Sequence, residues 1–149
     1  MATLRDRIQE DMKAAMRARE SERLGTIRML LAAIKQREVD ERRELPDSEI
    51  LGVVEKMVKQ RKESARQFLE GSRPDLAEKE ENEIRILQDY LPAAMTGGEI
   101  DAAIDSAIAG IGASGPGDLG KVLGLLRGPL QGRADMAQVA EKVRARLRS

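Results

Sequence analysis

Apolar residues recur at helical spacing along most of the chain. They stand every four residues from Leu4 to Met16 and so mark one face of a first helix. Between Leu24 and Ile34 the apolar stripe is wider, which favours burial against more than one neighbour. No run of five residues shows a clear alternation of apolar β-branched and polar side chains. The pattern predicts seven helices and no sheet.

Proline and glycine separate the predicted helices of the N-terminal part. Pro46 cannot continue the second helix, and Asp47 or Ser48 can cap the third. Gly71 is expected at the C′ position just past the end of the third helix. Pro74 is expected at the first position of the fourth helix. A backbone N–H at that position makes no intrahelical hydrogen bond, so proline removes none.

The C-terminal part has start and stop signals of its own. Thr96 and Glu99 stand at the spacing of a capping box and predict the start of the fifth helix. Gly128 and Pro129 are expected to stop a short sixth helix. Several cations lie in the last two turns of the seventh helix, where the helix dipole favours positive charge.

These signals divide the chain into two parts. We expect the boundary across Pro92–Gly98, where helix stops and restarts follow one another closely. Residues 1–92 are predicted to form an N-terminal helical domain, with four helices in an antiparallel bundle or in extended hairpins. Residues 93–149 are predicted to form a small C-terminal domain of three helices. The expected fold class is all-α.

The composition excludes several kinds of catalytic and binding site. The chain has no cysteine and no histidine, which excludes histidine-based triads, cysteine nucleophiles and the usual zinc sites. It has one Phe, one Tyr and no Trp, too few for a platform that stacks single-stranded bases. The sequence therefore predicts no catalytic residue, no metal ligand and no cofactor.

Two helices of the N-terminal part carry concentrated charge. The fourth is acidic, and its carboxylates are interpreted as a solvated face rather than a metal site. For the basic cluster of the third, a nucleic-acid contact stays open, but a solvated flank is preferred because Glu55 and Glu63 lie in the same stretch. The four members of the basic cluster are Lys56, Lys59, Arg61 and Lys62.

The charged N-terminal residues and the longest apolar run bear on the location of the protein. The first residues, MATLRDRIQED, are charged and contain no apolar segment of signal-peptide length. The longest clearly apolar run, Met29–Ile34, is far shorter than a membrane span. We therefore expect a cytoplasmic protein without a membrane partner.

The stretch Gly117–Leu147 concentrates positive charge in a chain whose formal net charge is zero. Residues 117–149 carry seven basic and three acidic residues, a net charge of +4. Two glycine–cation pairs stand out, Gly120-Lys121 and Gly132-Arg133. Backbone amides beside glycine can approach a phosphate closely. Alternatively, Gly120 permits close helix packing and Gly132 is a left-handed residue that ends a helix.

Four segments together resemble the YqeY-like proteins, in the family's order and spacing and over nearly the whole chain. The motif DYLP, followed about 25 residues later by GKV and then GRAD, is the most specific part of the resemblance. The four segments are Arg28–Arg42, Val53–Ser64, Ile86–Pro92 and Gly117–Asp135.

The resemblance implies a helical N-terminal part and a C-terminal helical domain of the type found at the tail of one subunit of the tRNA-dependent amidotransferase. That tail is associated with gripping tRNA. Free-standing YqeY-like proteins have no well-established activity, although they are often named amidotransferase-like. This chain is far too short to hold the kinase and transamidation parts of the full amidotransferase subunit.

Carried over by position, the shared signature falls on the two glycine–cation pairs. The segment between them is longer than in the amidotransferase tails, and Gly124 stands where those tails can have a basic residue. With the other cations of this part, the candidate nucleic-acid-binding residues are Gly120, Lys121, Arg127, Gly132, Arg133, Arg144 and Arg148.

Three functions are therefore compared. The first is a non-catalytic accessory protein of tRNA-dependent amidation or translation that contacts tRNA through its C-terminal domain by charge and shape. The second is a protein-interaction module that docks an amidotransferase or another translation protein through its acidic fourth helix and apolar stripes. The third, an enzyme with glutamine-dependent carbon–nitrogen ligase activity, ranks lowest because no recognisable acid–base motif is present. The oligomeric state stays open.

Overall fold

The computed structural model describes residues 3–148, and across these residues the fold is all-α, as predicted. No strand occurs within them, and none of their helices has the length and apolarity needed to cross a membrane. The chain divides into two compact units, the first ending at Leu91 and the second beginning at Pro92. The helices are α1 (Leu4–Arg17), α2 (Ser21–Glu41), α3 (Asp47–Glu70), α4 (Pro74–Gln88), α5 (Gly97–Ile111), α6 (Leu119–Leu130) and α7 (Met136–Arg148), with a 3₁₀ turn at Pro116–Asp118.

The first unit packs α1 to α4 around one aliphatic core. α3 and α4 form an antiparallel hairpin with the most extensive helix contact in the chain, and α2 packs against both. Tyr90 is the one aromatic side chain in this core. The buried members are Ile8, Ile27, Leu30, Ile34, Leu45, Ile50, Val53, Val54, Met57, Val58, Ile84, Leu87 and Tyr90.

The DYLP segment at the end of the first unit contacts α1 through its first two residues. The Tyr90 hydroxyl donates a hydrogen bond to the Asp11 carboxylate over 2.7 Å, and burial together with this carboxylate raises the pKa of Tyr90. The Arg7 guanidinium lies 4.9 Å from the centre of the Tyr90 ring and donates to the Asp89 carbonyl at 2.7 Å. The motif therefore has a structural role at the end of α4.

Two end signals of the first unit work differently from the prediction. Asp47 and Ser48 do not cap α3, because the helix already begins at Asp47. The Asp47 carboxylate instead accepts the Leu4 N–H across the fold, with both oxygens at 3.3 Å. At the other end of α3, Ser72 and not Gly71 takes the left-handed conformation, with φ 60°. Pro74 is the first residue of α4, as predicted.

The second unit builds a separate core from α5, α6 and α7. The Thr96–Glu99 capping box that begins α5 is confirmed. The predicted helix stop at Gly128 and Pro129 is wrong: α6 continues to Leu130, because a proline in the last turn removes only one backbone hydrogen bond while Leu130 is buried. The buried members of this core are Ile104, Val122, Leu126, Leu130, Val139, Val143 and Leu147.

Glu38 joins three segments of the first unit through its carboxylate. It accepts the Leu45 N–H of the α2–α3 loop at 2.8 Å and pairs with Arg5 of α1. These two partners, the Leu45 N–H first, hold the pKa of Glu38 below its usual value despite burial. Because the folded-state pKa is depressed, the contribution of Glu38 to stability is present above pH 4.5 and is lost as the pH falls.

Arg61 and Glu83 form an ion pair inside the α3–α4 hairpin. Arg61 Nε lies 3.1 Å from Glu83 Oε2, and the two side chains are only 14% and 10% exposed. Arg61 also donates to the Met57 carbonyl at 3.2 Å. Because both side chains are shielded from water, removing one partner leaves the other charge buried without its counterion, and this strongly lowers the stability of the fold.

We expect Glu38→Gln to lower the stability of the first unit at pH 7 and to flatten its loss of stability below about pH 5. The control is Glu44→Gln, since Glu44 is also within 3.8 Å of Arg5 but its side chain is 82% exposed. Fluorescence of Tyr90, the only tyrosine, reports urea unfolding of this unit. Equal pH profiles for the wild type and Glu38→Gln would contradict the role of Glu38.

We expect Glu83→Ala to lower the free energy of unfolding of the first unit by about 3 kcal/mol, because it leaves the Arg61 guanidinium buried without its partner. The neighbouring Glu81→Ala, which removes an exposed carboxylate from the same helix, should change it by less than about 0.5 kcal/mol. The measurement is urea unfolding followed by Tyr90 fluorescence. A loss below about 1 kcal/mol for Glu83→Ala would show that the ion pair contributes little.

Candidate nucleic-acid interface

The two signature glycines have different structural roles. Gly132 has φ 79°, so it is the left-handed residue in the turn that follows α6, as one of the two interpretations predicted. Gly120 lies in the first turn of α6, and a Cβ built on it would meet nothing within 4 Å. The suggestion that Gly120 permits close helix packing is therefore wrong, because its neighbourhood is open space.

Arg133 is held by the second unit itself. Its Nε donates to the Ala93 carbonyl at 3.0 Å, its Nη2 lies 3.9 Å from Glu99 Oε2, and its own carbonyl accepts the Met95 N–H at 2.8 Å. The hydrogen bonds of the Thr96 cap, and to a smaller extent the charge of Arg133, hold the pKa of Glu99 below its usual value. Arg133 thus ties the start of this unit to the turn between α6 and α7.

Acidic residues of α5 neutralise much of the basic C-terminal helix. Asp101 Oδ1 lies 3.2 Å from both Lys142 Nζ and Arg146 Nη2, and Arg146 also pairs with Asp105. Sequence reasoning missed these acids, although Asp101 and Asp105 stand four residues apart, as two carboxylates on one helix face do. Together with Glu99, Asp101 and Asp105 raise the number of acidic residues, so that residues 92–149 contain seven basic and six acidic residues. The net charge of this range is +1, compared with +4 for residues 117–149.

Of the other predicted cations, Arg144 has a close carboxylate partner, whereas Lys121, Arg127 and Arg148 are exposed and have at most a distant one in the part of the chain that the structure describes. Arg144 pairs with Glu141 one turn earlier on α7. Lys121 is 76% exposed, and only a 3.9 Å contact joins it to Asp118. Arg127 and Arg148 are exposed, and neither side chain has a hydrogen-bond or ion-pair partner within residues 3–148.

α6 presents a row of glycines between two of these cations. Gly120, Gly124 and Gly128 recur every four residues on its exposed side, and a Cβ on any of them would meet nothing within 4 Å. At 100° per residue, Lys121 and Arg127 lie about 60° to either side of Gly124. The outer side of α6 is therefore a shallow trough of bare backbone with one cation along each edge.

Across residues 3–148, no three carboxylates come together in a way that would hold a metal ion. The most buried carboxylate, Glu83, is paired with Arg61. The arrangement that the second unit offers is electrostatic: an exposed trough whose cations are only partly neutralised.

Fold and site define an all-helical, two-unit protein with a partly neutralised basic surface on its second unit. The family model of the Yqey-like proteins matches residues 5–147. The chain therefore belongs to the Yqey-like protein family.

Curated fungal proteins are similar to this chain in sequence. Altered inheritance of mitochondria protein 41, mitochondrial, from Kluyveromyces lactis is 40% identical over 101 residues, covering 65% of this chain and 54% of the relative. Its namesake from Pyrenophora tritici-repentis is 33% identical over 140 residues, covering 92% and 77%. An uncharacterized protein of Schizosaccharomyces pombe is 32% identical over 85 residues, covering 57% and 69%. The chain spans 54% and 60% of the Kluyveromyces and Lachancea thermotolerans relatives, respectively.

These relatives correct the expected location. The prediction of a cytoplasmic protein is wrong, because the relatives from Kluyveromyces, Lachancea and Pyrenophora are named as mitochondrial. The features behind that prediction, a charged start and the absence of a long apolar run, bear on secretion and membrane insertion. They carry no information that separates the cytoplasm from an organelle.

We expect Arg133→Ala to destabilise the second unit by about 1 kcal/mol, because it removes the charge-assisted hydrogen bond to the Ala93 carbonyl. Arg127→Ala, which removes an exposed cation without a partner in the described part of the chain, is the matched control and should leave stability within about 0.5 kcal/mol. Hydrogen exchange of α5–α7 peptides measures the effect, since this unit has no aromatic residue. Faster exchange in both variants, or in neither, would contradict the structural role of Arg133.

Proposed function

We propose that this chain is a non-catalytic accessory protein whose second unit contacts the tRNA backbone through the outer side of α6. The supporting observation is the glycine trough between Lys121 and Arg127, two exposed cations on either side of bare backbone. A phosphate chain needs positive charge and close approach, and neither requires base reading. Arg148, exposed at the end of α7, is a further cation of the same unit.

The role of the remaining signature residues is positional in this proposal. Arg133 and Gly132 shape the turn between α6 and α7, so they support the trough without touching RNA. Lys142, Arg144 and Arg146 already have carboxylate partners, and releasing them for a phosphate would leave those carboxylates unpaired. The binding residues are therefore Lys121, Arg127 and Arg148, with Gly120, Gly124 and Gly128 providing access.

A protein-interaction module is the second candidate, and one observation favours it. Two apolar side chains of α2 are exposed: Met29 is 41% exposed and Val39 is 59% exposed. Exposed apolar side chains can contact a partner protein, for which an amidotransferase or another translation protein is the proposed source. Carbon–nitrogen ligase activity of the chain itself has the least support, since the sequence offers neither histidine nor cysteine.

We expect labelled tRNA to bind with an affinity that falls at least tenfold between about 50 and about 200 mM salt, measured by fluorescence anisotropy. Lys121→Ala/Arg127→Ala should reduce the slope of log affinity against log salt by about 1.5. The charge-matched control is Lys142→Ala/Arg144→Ala, which removes two cations that already have partners. It should change the slope much less.

A steric variant tests the trough without changing charge. Gly124→Leu places a side chain in open space and improves helix propensity, so the fold should keep or gain stability by about 1 kcal/mol. It should nevertheless weaken tRNA binding severalfold. Unchanged binding of Gly124→Leu together with an unchanged salt slope of Lys121→Ala/Arg127→Ala would refute α6 as the RNA contact.

A further inference from the structure

Three lysines recur every three residues along α3. Lys56, Lys59 and Lys62 are exposed, and none has a carboxylate within ion-pair distance in the part of the chain that the structure describes. Two exposed cations of the same unit that do have partners provide a comparison: Lys13 lies 3.6 Å from Glu10, and Arg73 lies 3.1 Å from Asp75.

Of the acids next to these lysines, Glu63 is engaged by other side chains. Lys59 stands four residues from both Glu55 and Glu63, the spacing at which helical ion pairs form. The Glu63 carboxylate, however, accepts hydrogen bonds from Arg66 Nε at 3.1 Å and from Gln67 Nε2 at 3.2 Å, and Arg66 holds the pKa of Glu63 below its usual value. Glu63 is therefore not available to neutralise Lys59.

The fourth member of the basic cluster does not belong to the exposed row. Arg61 turns into the α3–α4 hairpin and pairs with Glu83. The remaining lysines recur every three residues, so they rise about 4.5 Å apiece along the helix and span about 9 Å. A row of this length can bring its lysines to successive phosphates of one nucleic-acid strand.

We propose that this lysine row, Lys56, Lys59 and Lys62, is a second contact for the backbone of an RNA, located on the first unit. Lysine provides a mobile, strongly hydrated point charge, which suits contact with phosphates without reading sequence. The choice of RNA as the ligand rests on the proposed function. The contact itself is independent of α6, because it lies on another unit with its own core.

The test measures the salt slope of tRNA binding for the full-length chain and three double variants. Lys56→Ala/Lys59→Ala removes two members of the row, and Lys121→Ala/Arg127→Ala removes the α6 contact. Lys13→Ala/Arg73→Ala is the charge-matched control, since both of its cations are exposed but paired. Tyr90 fluorescence verifies that the first unit remains folded in each.

Two phosphate contacts predict a slope smaller by about 1.4 to 1.8 for Lys56→Ala/Lys59→Ala, which is about a tenfold change across a fourfold range of salt. The control should stay within about 0.3 of the wild type. The proposal is overturned if the α3 variant and the control behave alike, as they would if the row instead met an acidic protein.

The remaining outcomes separate this contact from the α6 contact. A reduced slope for the α6 variant alone leaves the proposed function standing and removes the lysine row. A reduced slope for the α3 variant alone supports the row and refutes RNA binding by the second unit. Wild type that binds no tRNA at low salt overturns both.

Discussion

Pairing between basic side chains and carboxylates decides which charges of this protein are available to a ligand. The chain has 26 basic and 26 acidic residues, so each internal pair neutralises a cation that a ligand would otherwise meet. Some of these pairs also connect helices: Arg5 with Glu38 in the first unit, and Arg146 with Asp105 in the second. The pairing that links these helices therefore also determines which cations remain for a ligand.

Most of the fold follows from short-range signals. Helical periodicity, the Thr96–Glu99 box and Pro74 act within one or two turns, and the structure has them as the sequence predicts. The errors arise where a distant contact prevails. Asp47 serves the Leu4 N–H, 43 residues away, instead of capping its own helix. Pro129 lies within α6 because the burial of Leu130 outweighs a single missing hydrogen bond.

The candidate interface was less predictable for the same reason. Sequence spacing places Arg133 beside a glycine, but not its guanidinium against Ala93, 40 residues earlier. Sequence spacing likewise reveals the cations of α7 but does not reveal that acids of α5 lie beside them. For the lysine row of α3 the sequence misleads in the opposite direction. Its neighbouring acids suggested neutrality, and only the position of Arg66 shows that Glu63 is already engaged. Membership of the Yqey-like family identifies the fold but leaves these charge assignments to the structure.

The glycines of α6 also affect how this helix is kept in place. Gly120, Gly124 and Gly128 each weaken a helix by about 1 kcal/mol relative to alanine, so α6 has little intrinsic helical stability. It persists because Val122, Leu126 and Leu130 are anchored in the core of the second unit. The exposed glycine side of α6 therefore owes its helical shape to the three apolar side chains on the opposite side. A substitution that removed one of these anchors would disturb the surface as well as the core.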